Sequence, residues 1–91
     1  MTIILYVHSG IPGDTSFGYS EHASKAAAAR YFAADSDPYF RHSGASASAY
    51  MVDTPEDLDL CREFSKIGCP LDYPDYILSF GPRGGVKVEG A

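Results

Sequence analysis

Tryptophan is missing from this chain, and cysteine occurs only at positions 61 and 69. Two cysteines are too few for a disulfide-stapled scaffold. With a helix running between them, their Cα atoms stand roughly 10 Å apart, beyond the ~7 Å that a bridge tolerates. Reduced thiols, and with them a cytoplasmic setting, are the expectation. No segment approaches the ~18 consecutive apolar residues of a membrane helix. The N-terminal run Thr2–Val7 is too short for a signal peptide and has no basic leader, so no membrane partner is expected. Bases are scarce as well: 7 lysines and arginines face 12 acids, a net charge of −5. Such a field repels phosphate backbones, which argues against direct nucleic-acid binding and favours a basic protein partner. No repeat, low-complexity tract or interdomain linker interrupts residues 1–91, which read as one domain.

What is present is an ordinary globular composition, 45% hydrophobic and 21% charged, too apolar for disorder. Thr2–Val7, TIILYV, is β-rich with little alternation and reads as a central strand covered on both faces. A Gly/Pro-rich loop from Ser9 to Gly18 follows. A helix is expected from Ser20 as N-cap through Asp35, with Ala23, Ala27, Tyr31 and Ala34 on one arc. Pro38 stops it. Ala47–Asp53 reads as a second strand. Thr54-Pro55-Glu56-Asp57 is the best local signal, combining a capping threonine, a first-turn proline and acids at the positive end of the helix dipole. That helix is expected to run to Ile67 and stop at Gly68, burying Leu60, Phe64 and Ile67, with Cys61 at the edge of the stripe. Tyr76–Phe80 and Val86–Glu89 flank GPRGG and read as a hairpin. The expected order is β-α-β-α-β-β: a four-stranded mixed α/β sheet with two helices, opened by a parallel crossover.

The segment HSGIPGDTSFGYSEH, His8 to His22, concentrates polar groups directly after the first strand. His8, Asp14, Ser16 and His22 could supply base, orienter and nucleophile. Its glycines also explain themselves as loop formers, which leaves the segment a connector. A phosphate cradle lacks the P-loop lysine and spacing, and Asp14 would repel phosphate. His8, His22, His42, Cys61 and Cys69 show none of the close paired spacings of zinc ligands, so no metal and no cofactor are expected. Cys69, just past a helix C-terminus, sits at the end of the dipole that does not stabilise a thiolate.

The second helix carries more information. From Asp53 to Lys66 it holds five acids, Asp53, Glu56, Asp57, Asp59 and Glu63, against Arg62 and Lys66. Glu56, Asp59 and Glu63 share one solvent arc, while Asp59–Arg62 and Glu63–Lys66 are spaced for partial compensation. One reading is a solvated face; the other is a docking surface for a basic partner, including a surface that normally holds nucleic acid. Tyr73 and Tyr76, in or near loops, would add aromatic contact area with a polar tip.

The quoted segments also resemble a known family. LYVHSGIPGD is similar to the opening of glutaredoxins in the thioredoxin-like fold, a strand followed by Ser-Gly-Cys-Pro-x-Cys, with Ser9, Gly10 and Pro12 in place. YMVDTPEDLDLCREF resembles the second strand and its helix, and Tyr73-Pro74 stands where that family has a cis-proline. The two redox-cysteine positions hold Ile11 and Asp14, so the resemblance implies a member without a nucleophile for disulfide exchange. His8, Ser9, Gly10, Pro12, Asp14 and Pro74 would then line a ligand loop. In size and charge the chain also resembles small acidic phage and mobile-element proteins, anti-CRISPR inhibitors among them. The expectation is a non-enzymatic inhibitor or adaptor; the alternative is thiol oxidoreductase or thiol-binding chemistry through Cys69.

Overall fold

The computed structural model describes residues 1–8, 12, 13, 17–34, 45–68, 71, 73–81 and 85–90. Strand β1, Thr2–His8, is buried continuously from Ile3 to Val7. Unbroken burial requires cover on both faces, as its sequence suggests. β1 lies between β2, Phe17–His22, and β3, Ser46–Val52, and runs antiparallel to both. β4, Tyr76–Phe80, pairs with β3, and β5, Val86–Gly90, pairs with β4, again antiparallel. The result is one five-stranded antiparallel sheet in the order β2-β1-β3-β4-β5.

Among the described residues, two helices cover the sheet. α1, Lys25–Ala34, buries Ala28 and Phe32. These pack on Ile3, Leu5 and Val7 of β1, Ala47 and Ala49 of β3, and Tyr76 and Leu78 of β4. α2, Pro55–Glu63, buries Cys61 against Ile4, Tyr6, Tyr50 and Val52, with Phe17, Tyr19, Leu58 and Leu71 around them. Alternate strand residues point to opposite faces, so α1 and α2 lie on opposite sides of the sheet.

This overturns the four-stranded mixed, thioredoxin-like arrangement. The reason is one unrecognised strand. Ser20-Glu21-His22-Ala23 precedes an alanine-rich run and imitates a helix start, yet Phe17, Tyr19 and Glu21 alternate with Gly18, Ser20 and His22 at the strand period. The chain turns back after β1 instead of entering a helix. Ser20 is therefore a β2 residue, and the cap of α1 is Ser24, whose Oγ accepts from the Ala27 N–H at 3.1 Å. The helical crossover joins β2 to β3, which are parallel to each other with β1 inserted between them. The buried face of α1 is Ala28 and Phe32, and Tyr31 of the expected arc is exposed.

The later elements fall close to expectation. The β4–β5 hairpin has the expected strands, and Gly81 N–H donates to the Gly85 carbonyl at 2.7 Å across its base. α2 starts at its Thr54 cap but ends at Glu63, with turns to Ile67 and Gly68 at φ 141°. Its inward stripe is displaced from the one expected: Cys61 is wholly buried, whereas Leu60 and Ile67 are 37% and 77% exposed.

Candidate functional site

The outer face of α2 is built by its cap and its inward residues. Thr54 is extended, at φ −111° and ψ 146°, and its hydroxyl accepts from the Asp57 N–H at 3.2 Å. Pro55 follows with φ already suited to a helix. Glu56 and Asp57 occupy the first turn, where the helix dipole favours negative charge. With Cys61 turned into the core, Asp53, Glu56, Asp57, Asp59 and Glu63 are all exposed.

Arg62 feels Asp59 only weakly and makes its hydrogen bonds elsewhere. Its guanidinium reaches across to β2 and grips Glu21 as a fork, Nε to Oε2 at 3.0 Å and Nη2 to Oε1 at 2.8 Å. The Tyr19 hydroxyl donates to the same carboxylate at 2.8 Å. The Arg62 hydrogen bonds hold the Glu21 carboxyl below its ordinary value, against an opposing push from burial. Burial and the donated bond to Glu21 push the Tyr19 phenol far up, so it stays protonated. The base expected to offset Asp59 thus mainly ties α2 to the sheet, and the acidic face keeps an excess of negative charge. Sequence reasoning missed this network because Glu21 was read as helical; the alternation of residues 17–22 was the signal.

The remaining candidates separate. Tyr73 is 84% exposed, next to half-buried Pro74. Tyr76 is a core residue, 5% exposed, and so is removed from the docking set. Its hydroxyl has no hydrogen-bond partner among the described residues, burial raises its pKa, and the Lys25 ammonium stands 5.2 Å from its ring. The burial follows from its register opposite Ala49 on the α1 face.

His8 and His22 do not converge. His8 pairs with Phe17 and His22 with Ile3, at opposite ends of the β1–β2 ladder, about 17 Å apart at ~3.3 Å per residue. His8 is exposed, with its ring 6.1 Å from that of Phe17. His22 shares a hydrogen bond with the Ser20 hydroxyl at 2.8 Å and packs 4.7 Å from the Tyr31 ring. Burial lowers its pKa. Pro12 is exposed beside Gly13, whose φ of 86° makes this Pro-Gly pair a turn. Ser9, Gly10, Ile11, Asp14, Ser16, His42 and Cys69 lie outside the described residues. Where the glutaredoxin likeness placed a cis bond, the Tyr73–Pro74 peptide is trans.

Among the described residues there is no cleft and no cluster of three His, Cys, Asp or Glu able to hold a metal ion. None of the described helices is long and apolar enough to cross a membrane. In comparison with known proteins, the chain matches no protein-family model, no curated protein and no solved structure.

Proposed function

We propose that this chain is a small acidic binding protein, an inhibitor or adaptor that docks on the basic surface of a protein partner. The observation that carries the reading is the outer face of α2. Four acids of α2, Glu56, Asp57, Asp59 and Glu63, and Asp53 just before its cap stand in solvent while Arg62 is engaged by Glu21. Exposed Leu60, Ile67 and Tyr73, the first on α2 and the others soon after it in the chain, add apolar area to that charge. Charge of one sign steers encounter with an oppositely charged surface, and aromatic and aliphatic side chains hold the complex once formed. A basic surface that normally holds nucleic acid suits such an inhibitor, with no direct contact between this chain and the nucleic acid. A cytoplasmic setting and an origin in a phage or mobile element belong to the same proposal.

The test is affinity capture from source-cell extract with the natural chain and with Glu56, Asp59 and Glu63 all changed to lysine. The reading expects a basic protein captured by the natural chain, at least tenfold less by the triple variant, with an association rate that falls as salt rises. Equal capture by both chains would remove the acidic face from the mechanism. Asp59 and Glu63 are surface positions whose reversal leaves stability nearly unchanged, and reversal of Glu56 gives up roughly 0.3–1 kcal/mol at the helix dipole, so a urea melt of the triple variant separates loss of docking from loss of folding.

A further inference from the structure

Among the described residues β5 is the last strand of the sheet; none of them pairs with its outer edge, and Lys87 to Gly90 are exposed. Natural sheets blunt such edges with charged side chains, proline or bulges, because an open edge is a template for another strand. β5 has neither proline nor bulge; it pairs residue for residue with β4 from Val86 to Gly90. Its charges are one lysine and one glutamate, Lys87 and Glu89, on one face and in contact at 2.6 Å. Val88 between them points to the other face and is 58% exposed.

The order Lys87-Val88-Glu89 is complementary to itself when reversed. If two copies of β5 run antiparallel with Val88 opposite Val88, Lys87 of each copy faces Glu89 of the other. Directly opposite residues share a face of the sheet, so both pairs are favourable and the two valines cover each other. The backbone fits as well. Gly81 and Gly85 close the hairpin by a hydrogen bond, and antiparallel pairs alternate between bonded and non-bonded. Counting from there, Val88 is non-bonded toward β4, so the N–H and C=O groups of Val86, Val88 and Gly90 point outward. The opposite edge lacks this property, since β2 carries Glu21, already held by Arg62, and no lysine or arginine. In a chain of net charge −5, two copies repel over most of their surfaces, but residues 76–90 hold two bases and one acid.

We infer that a second copy of this chain docks on β5, antiparallel about a two-fold axis at Val88, joining the two sheets into one. The closed two-fold arrangement stops at two copies, because each chain uses its β5 edge once.

Sedimentation equilibrium on the full chain, with Lys87→Glu, Glu89→Lys and the double exchange, tests this. The natural chain sediments as a dimer at high concentration. Each single reversal places like charges opposite each other at both pairs and raises the dissociation constant about tenfold. The double exchange restores opposite charges and returns the constant to within about twofold of the natural one. Amide hydrogen exchange, read at high and low protein concentration, should show added protection at Val86, Val88 and Gly90 only where the dimer forms. A monomer at every concentration up to about 1 mM, where even weak association registers, overturns the inference. So does a dimer indifferent to the reversals, or one that leaves those amides unprotected.

Discussion

The α1 face of the sheet is filled mostly by aliphatic and small side chains around the stacked Phe32 and Phe80, with Tyr76 among them, whereas the α2 face gathers Tyr6, Tyr19 and Tyr50 around Ile4, Val52 and Cys61. On the first, Ala28, Ala47 and Ala49 leave the space that Phe32 occupies, and its ring stacks on Phe80 at 4.6 Å. On the second, Tyr6 meets Phe17, Tyr19 and Tyr50 at 5.3, 5.5 and 5.9 Å, tilted or edge-on. Only Cys61 of α2 is fully buried there, and the rim is closed by the Glu21–Arg62 pair. One face is thus held by fit of volume and the other by ring geometry and charge. They should fail under different insults.

The largest expected effect is on the volume-fitted face. Phe32→Ala leaves a cavity lined by alanines that cannot collapse into it, and should cost about 3–5 kcal/mol in a urea denaturation series. On the α2 face, Cys61→Ser places a hydroxyl among Ile4, Tyr6, Tyr50 and Val52; a loss of about 1–3 kcal/mol is expected, and Cys61→Ala should lose less than the serine variant. If Phe32→Ala proves milder than Cys61→Ser, the contrast between the faces is wrong. Thr54→Ala removes the cap of α2 and should cost about 1 kcal/mol in thermal or chemical melts.

The smallest effect is in pH. Glu21 is held below its ordinary value of 4.5 by Arg62, and His22 below 6.5 by burial. Each lowered value means that the unfolded chain binds the proton more readily. The stabilisation is complete above the ordinary value and is lost as pH falls through the folded one. Melting temperature should therefore be flat from about pH 6.5 to about pH 9, below the range where unfolded tyrosines ionise, and decline as pH falls from about 6.5, with a further decline below about pH 4.5. His22→Gln should flatten the upper part of that limb and Glu21→Gln the lower part. A limb unchanged in both variants would show that neither rim group couples protonation to folding.

Legibility in the sequence followed local chemistry. Thr54-Pro55 announces its helix because the cap and the proline act within a few residues, and Tyr76–Phe80 with Val86–Glu89 reads as a hairpin because its loop is short. β1 is legible as central because unbroken apolarity has one explanation. What could not be read was set by distant partners. Residues 17–22 take strand form because β1 offers an edge, overriding the helical appeal of the alanines that follow. Tyr76 looks like an exposed loop aromatic until its register with Ala49 turns it inward. The same holds for Arg62, which helical spacing sets one turn after Asp59 but whose hydrogen-bonded partner in space is Glu21. Helical spacing put Glu56, Asp59 and Glu63 on one arc, and they are exposed, but the inward stripe read beside them, Leu60, Phe64 and Ile67, gives way to Cys61 because the sheet sets the rotation of the helix.

The pairing of β1 with β3 has a consequence for the nascent chain. β2 reaches β1 soon after it leaves the ribosome, but the other edge of this most apolar strand finds its match only when Val52 has emerged. At about 5–20 residues per second, that is a wait of roughly 2–9 s after His8 is made. During synthesis the molecule is most vulnerable to misassembly along the strand that ends up best hidden.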